Sequence, residues 1–125
     1  MSVINDVLAR LTDTPLDNAH FPWLTGQVIE AGLAVDVYAL RVNFIGELGW
    51  ELHCPIEYAN GLFEALLAAG REFGIGMVGM RAMESLRMEK SYRMWGSDLT
   101  RDYTPFEAGL TRMVRMDKGD FVGRA

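Results

Sequence analysis

The sequence predicts an α+β fold built on an antiparallel sheet. Residues 34–44 and 50–54 alternate side chains as strands do, and the two glycines within 45–49 permit a reversal, which predicts a β-hairpin or a bulged equivalent. Apolar residues at helical spacing predict helices over 57–70 and 79–89. Because the predicted order is a hairpin, then two helices, then strands again, an antiparallel sheet with two packed helices is favoured over a parallel βαβ repeat.

The other elements follow from shorter patterns. Residues 4–11 have helical spacing, and residues 20–24 contain a proline that cannot donate a ladder hydrogen bond, so they predict an edge strand or a packed loop. Residues 91–95 are predicted to be extended. The tail is predicted to add one more short strand, from residues 113–116 and 121–123.

Alternation and helical spacing also predict which side chains face the core. In the strand 50–54 the apolar residues share one face, and Glu51 and His53 share the other. In the helix 79–89 the expected inward residues are Met80, Met83 and Leu86. The residues expected near solvent or partners are Glu84, Arg87 and Glu89. Arg87 and Glu89 are interpreted as a charged pair that locks this helix to the sheet.

Length, charge and composition exclude several classes of protein. The chain has 125 residues, a single domain's length, and its formal net charge of −5 argues against nonspecific nucleic-acid binding. No apolar run is long enough to cross a bilayer, no signal peptide is evident, and the lone Cys54 fits a reducing compartment, so the cytoplasm is predicted. His53 and Cys54 point to opposite sides of a strand, so no metal site is predicted.

Residues 74–79 match the G-x-G-x-x-G spacing of dinucleotide-binding loops. That fingerprint requires a strand before the first glycine, whereas here a helix is predicted before it. The glycines are therefore interpreted as a helix C-cap and a flexible connector.

Four segments occur together in the order found in one known family. They are 46–52 (Gly-Glu-Leu-Gly-Trp-Glu-Leu), 85–90 (Ser-Leu-Arg-Met-Glu-Lys), 92–98 (Tyr-Arg-Met-Trp-Gly-Ser-Asp) and 104–110 (Thr-Pro-Phe-Glu-Ala-Gly-Leu). With these, the chain resembles the folate-binding aminomethyltransferase family of the glycine-cleavage T-protein, closest to its dimethylglycine oxidase and dehydrogenase branch. The resemblance implies a single partial domain over residues 1–125, the C-terminal half of a larger folate-binding fold.

The resemblance implies transfer of a one-carbon unit from dimethylglycine, sarcosine or an aminomethyl carrier to tetrahydrofolate. The family's pterin-binding glutamate corresponds to Glu51, and a carboxylate there can accept two parallel N–H bonds from a planar ring. Phe44 and Glu47 are further cofactor-binding candidates beside it. Trp95 is a candidate to stack on the ligand, the alternative being a core side chain.

Two positions depart from the T-protein pattern. Phe44 stands where a tyrosine is usual, and Met83 stands where an arginine is usual. The family's catalytic aspartate belongs to an N-terminal half outside this chain, so no catalytic residue is assigned, and FAD is expected only in a separate domain of a longer parent. The chain alone is therefore expected to be inactive.

Two alternatives stay open. The chain could be a noncatalytic folate-binding module, although residues 90–96 lack the cysteine of the family members that assist iron–sulfur assembly. It could also be a structural module that binds nothing alone. The expected partners are a small-molecule folate and the missing N-terminal half, with no nucleic acid and no membrane, and a homo-oligomer is left open.

Overall fold

The computed structural model describes residues 2–124, which form one antiparallel sheet with helices packed on it. The strands lie in the order β1, β2, β3. Their bounds are β1 Gly26–Ala31, β2 Ala34–Leu40 and β3 Glu51–His53, and those of the helices are α1 Val3–Leu8, α2 Ile56–Gly70 and α3 Met80–Glu89. Single 3₁₀ turns occur at Arg71–Phe73 and Thr111–Met113. The predicted α+β class is confirmed.

Strand β1 was not predicted from the sequence. It pairs antiparallel with β2, Ile29 opposite Val37 and Ala31 opposite Ala34, with a register shift between these two pairs. Gly32 adopts a φ of 62° and makes the tight reversal between the strands. The adjacent β-branched Val28 and Ile29 before this glycine were the available signal, but a run this short is ambiguous on its own.

The predicted hairpin between β2 and β3 is present, with a shorter first strand than expected. Ala39 faces Leu52 and Leu40 faces Glu51, but β2 ends at Leu40 and does not reach residue 44. Beyond it, the side chain of Asn43 accepts hydrogen bonds from the main-chain N–H groups of Ile45 and Glu47, at 3.0 and 3.1 Å. This local bonding replaces the ladder and ends the strand.

The core lies between the sheet and the helices, where α2 packs against α1 and β2. Its members are buried side chains of α1, β1, β2, α2 and the segment between α1 and β1: Leu8, Leu16, Phe21, Ile29, Ala31, Ala34, Val37, Ala39 and Leu62. Phe21 is fully buried, with its ring edge-on to Trp50 at 4.6 Å. Residues 20–24 are therefore the predicted packed loop, and burying Phe21 contributes about 1.5–3 kcal/mol.

The predicted helices are present, but the prediction of which side of α3 is buried is wrong. α1 and α2 match the predicted segments, α1 ending three residues early at Leu8. In α3 the expected inward residues Met80 and Leu86 are 68% and 37% exposed, whereas Arg87 is only 4% exposed. The expectation is wrong because the apolar side of α3 faces no sheet in residues 2–124, and ion pairing decides which side chain is buried.

The glycine motif, residues 74–79, lies after α2. Gly74 has a φ of 71° and closes the 3₁₀ turn after α2, and residues 74–79 connect this turn to α3. The connector interpretation is confirmed.

The predicted tail strand is wrong: residues 113–116 and 121–123 contain turns and the end of a 3₁₀ turn, with no strand partner in the described chain. Of the segment 91–95, only Trp95 forms a bridge, to Leu99.

Candidate functional site

The connection between β2 and β3, residues 41–50, is the centre of the candidate site and is called the glycine loop below. Gly46 has a φ of 73°, and a Cβ placed there would lie 2.5 Å from Cγ of Lys90. A Cβ on Gly49 would lie 2.6 Å from Cβ of Asn43. Both glycines are therefore required by close approach, and Gly46 also by its backbone angle.

Lys90 and Tyr92, just beyond α3, hold the glycine loop. Lys90 Nζ lies 3.3 Å from Glu47 Oε1, and the rings of Phe44 and Tyr92 lie 6.3 Å apart at an angle of 38°. The structure thus brings the candidates Phe44 and Glu47 to one junction. Both already have a protein partner there.

Glu51 lies at the exit of this loop, on the sheet face opposite the core. Its side chain is half exposed, and Oε2 lies 3.5 Å from Nε2 of His53. The predicted faces of β3 are confirmed, since Trp50, Leu52 and Cys54 pack against the core. The Glu51 carboxylate keeps accepting capacity for a ligand, because its one recorded partner within residues 2–124 is this exposed histidine.

Strand pairing builds an exposed surface around Glu51, called the outer sheet face. It consists of two cross-strand rows, Gly26–Leu40–Glu51 and Val28–Tyr38–His53. Val28 and Tyr38 are 66% and 44% exposed. A Cβ on Gly26 would lie 2.5 Å from the Tyr38 hydroxyl oxygen and 2.6 Å from Cδ2 of Leu40, so these side chains close over the glycine. The carboxylate therefore stands at the edge of a partly apolar platform.

A cavity of about 540 Å³ lies on the other side of β3. Trp50 forms part of its wall and donates through Nε1 to Asn5 Oδ1 at 2.9 Å. The remaining lining is mostly apolar, with Glu47 as its one ionisable side chain: Ser2, Val3, Ile4, Val7, Leu8, Glu47, Leu48, Leu52, Leu66, Phe73 and Ile75. The volume suits a small ligand, but Glu51 does not line this cavity.

Trp95 lies away from the other candidates. It is 86% exposed and lines a separate cavity of about 620 Å³ with residues 99–101, 103–105, Ala108 and Leu110. The structure therefore does not gather Glu51, Phe44, Glu47 and Trp95 into one pocket. Their cofactor-binding roles stay predictions.

A charge cluster around the buried guanidinium of Arg87, beside the loop, was not predicted in this form. Arg87 donates to the carboxylates of Glu84 and Asp98, and to the main-chain oxygen of Tyr92 at 2.7 Å. The two carboxylates, Glu84 foremost and then Asp98, raise the pKa of Arg87. The N–H of Met94 and then Arg87 lower the pKa of Asp98. The predicted partner Glu89 is not among the ion pairs of Arg87. The i, i+3 spacing between Glu84 and Arg87 was the sequence signal that could have predicted the observed pair.

Residues 2–124 offer neither a metal-binding cluster nor a membrane-spanning helix. They contain no cluster of three or more histidine, cysteine or acidic side chains placed to ligate a metal. They also contain no helix with the length and apolar character needed to cross a membrane.

Comparison with known proteins agrees with the motifs. The family model described as the GCVT N-terminal domain matches residues 4–118, and the chain belongs to that family. The predicted resemblance is therefore confirmed.

Three relatives show which branches are similar. The chain is 41% identical to mitochondrial sarcosine dehydrogenase and 40% identical to mitochondrial dimethylglycine dehydrogenase, both of Mus musculus, over 95% and 94% of its length. It is 37% identical to an aminomethyltransferase of Caldanaerobacter subterraneus over 95% of its length. It spans 13%, 14% and 31% of these proteins. The cytoplasmic location stays a prediction, since the names of the two dehydrogenases place those proteins in mitochondria.

Proposed function

We propose that this chain is the tetrahydrofolate-binding portion of an aminomethyltransferase-like enzyme. That enzyme would transfer a one-carbon unit from dimethylglycine, sarcosine or an aminomethyl carrier to tetrahydrofolate. Membership of the GCVT N-terminal domain family supports this assignment, as do relatives named as an aminomethyltransferase and as dehydrogenases of two methylated glycines. The observation that carries it is the Glu51 carboxylate at the edge of the outer sheet face.

The proposed chemistry is ligand positioning. The Glu51 carboxylate would accept two N–H bonds from the edge of the pterin, while the ring lies over Leu40 and Tyr38. Holding the folate so that its nucleophilic nitrogen meets the one-carbon unit lowers the entropic cost of the reaction, which can remove several kcal/mol of the barrier. These residues fit one edge and one face of such a ring.

The rest of the site is proposed to come from elsewhere. Residues 2–124 provide no enclosing wall opposite the outer sheet face, and no residue of the chain is assigned a catalytic role. We therefore place the catalytic group and the second wall on an N-terminal half of the domain that acts as a partner of this chain. FAD is placed in a separate domain of a longer protein.

The test is calorimetric titration of tetrahydrofolate into the intact protein that carries this chain. Glu51→Gln replaces one acceptor by a donor facing the ring's N–H groups, which is expected to weaken binding by about 1–3 kcal/mol, roughly 5- to 150-fold. Glu30→Gln is the matched control, because Glu30 is also an exposed strand glutamate. Its affinity is expected to equal that of the unmodified protein.

Other outcomes would change the proposal in defined ways. Unchanged affinity in Glu51→Gln would remove Glu51 from the site. Absence of tetrahydrofolate binding by the unmodified protein would favour a structural module, and binding without turnover by the intact protein would favour a noncatalytic folate-binding one. Turnover by the purified 125-residue chain would contradict the placement of the catalytic group outside it.

A further inference from the structure

Arg87 organises the part of the chain that follows α2. Among residues 71–124 it is the one residue classed as buried, at 4% exposure. Apolar side chains of the same stretch are open to solvent, including Met77 at 80% and Met88 at 61%. A guanidinium and its partners, instead of an apolar core, therefore determine the local geometry of this stretch.

Both the main chain and the side chain of Arg87 hold Tyr92. The Tyr92 N–H donates to the Arg87 carbonyl at 2.9 Å, and Arg87 Nη1 donates to the Tyr92 carbonyl at 2.7 Å. Glu84 and Asp98 place two carboxylates against this one guanidinium. Removing a carboxylate is expected to destabilise this region, because the guanidinium is 4% exposed and loses a counter-charge, whereas the carboxylates themselves are 39% and 37% exposed.

Asp98 extends this restraint to the following turn. The same Asp98 oxygen that bonds Arg87 accepts the Met94 N–H at 2.9 Å, and the Met94 carbonyl accepts the Asp98 N–H at 2.9 Å. The chain from Tyr92 to Asp98 is thereby bound back onto the last turn of α3. Lys90 and Tyr92 lie within the region so restrained.

The restrained residues are the ones that hold the glycine loop. The ion pair of Lys90 with Glu47 and the ring contact of Tyr92 with Phe44 join residues 76–124 to residues 2–73. No other ion pair, aromatic pair or hydrogen bond recorded within residues 2–124 joins these two parts. The backbone of the loop then runs directly into β3 and Glu51.

We propose that Arg87 is a positioning residue for the ligand site: it sets Lys90 and Tyr92, which set the glycine loop and through it the Glu51 carboxylate. The part concerning the ligand rests on the proposed function, while the part concerning the loop does not. Asp98 acts with Arg87 as a second positioning residue, because it bonds both Arg87 and the Met94 N–H.

The first measurement needs no ligand. Hydrogen exchange is followed at the Ile45 and Glu47 amides, which both donate to Asn43, in the intact protein and in Arg87→Met and Asp98→Asn. Exchange at these two amides is expected to rise by about tenfold or more, while amides of α2 keep their rates. Arg81→Met is the control, because Arg81 is an exposed arginine of the same helix.

Asp98→Asn keeps the size of the side chain, so it decides the matter if Arg87→Met does not fold. Unchanged exchange at Ile45 and Glu47 would overturn the proposal, whatever the folate result. A rise spread equally over α2 and the loop would also overturn it, because Arg87 would then act on global stability alone.

The second measurement is a double-mutant cycle for tetrahydrofolate affinity, combining Asp98→Asn with Glu51→Gln. If Arg87 and Asp98 act through Glu51, the loss in the double variant is expected to be at least about threefold smaller than the product of the two single losses. Independent, multiplicative losses would overturn the link to Glu51. A protein that binds no tetrahydrofolate but shows the expected exchange would refute the proposed function and the link to the ligand, and leave the loop positioning standing.

Discussion

Trp50 Nε1 donates a hydrogen bond of 2.9 Å to the side-chain oxygen of Asn5, joining the end of the glycine loop to α1. The Asn5 amide nitrogen also donates to the Leu16 carbonyl at 3.2 Å. One polar side chain thus joins the N-terminal helix, the loop after it and the Trp50 wall of the 540 Å³ cavity. Since the Trp50 indole is partly buried, its N–H would be poorly solvated without this acceptor.

Asn5→Ala is expected to lower the free energy of unfolding by about 1–3 kcal/mol, because it leaves the Trp50 N–H unpaired. Asn60→Ala, at an exposed position in α2, is the control, since it shares the gain in helix propensity and loses no recorded bond. Urea denaturation measures both. Equal stabilities of the two variants would show that the Asn5–Trp50 bond contributes nothing.

Gly46→Ala and Gly61→Ala are expected to act in opposite directions. Gly46 has a φ of 73° and its Cβ would meet Lys90, so alanine there is expected to cost about 1–3 kcal/mol. Gly61 lies within α2 with no atom within 4 Å of its Cβ position, so alanine there is expected to stabilise by about 0.5–1 kcal/mol. Thermal unfolding followed by circular dichroism distinguishes them. A Gly46→Ala protein as stable as the unmodified one would contradict the close approach of the loop to Lys90.

Asp98 is expected to make stability fall in acid. Its folded-state pKa is lowered from the ordinary 3.8 by the Met94 N–H first, with Arg87 adding to the effect. A lowered carboxyl pKa contributes stability that is present above the unfolded value and is lost as the pH falls through the folded value. The free energy of unfolding is therefore expected to decline below a pH of about 3.8.

Asp98→Asn is expected to show a smaller decline over the same range, measured by urea denaturation at successive pH values. Some decline remains, because the His20 side chain lowers the pKa of Asp17 and the Thr104 N–H lowers that of Glu107. Asp13→Asn, an exposed aspartate, serves as the control. Identical pH profiles for Asp98→Asn and the unmodified protein would exclude a role for Asp98 in acid stability.

Tyr38 lies on the outer sheet face between Val28 and His53. If the pterin lies there as proposed, Tyr38→Leu is expected to weaken tetrahydrofolate binding by about two- to tenfold, since stacked aromatic pairs contribute about 0.5–1.5 kcal/mol beyond buried area. Tyr103→Leu is the matched control, an exposed tyrosine away from the sheet. Calorimetry on the intact protein measures the affinity of both variants. Equal affinities of Tyr38→Leu and Tyr103→Leu would show that the ligand does not bind on this face.

Sequence patterns predicted the elements whose signal is local. The apolar stripe of α2, the alternation in β3 and the two glycines between β2 and β3 each depend on neighbours a few residues away, and all three are present. The same holds for the Gly74 turn, because a left-handed backbone angle follows a helix end. Four motifs in order also predicted the family, since such an arrangement rarely arises by chance.

Only the tertiary structure decided which distant segments meet. The pairing of β1 with β2 adds Gly26 and Val28 to the outer sheet face around Glu51, and no local pattern predicted β1. Helical spacing predicted an inward Leu86, but the carboxylates of Glu84 and Asp98 draw Arg87 inward. Burial depends on what a side chain meets in space, and for a charged group it follows the availability of counter-charges. For this protein the sequence alone therefore determined the family and the local elements, while the tertiary structure decided what surrounds the Glu51 carboxylate.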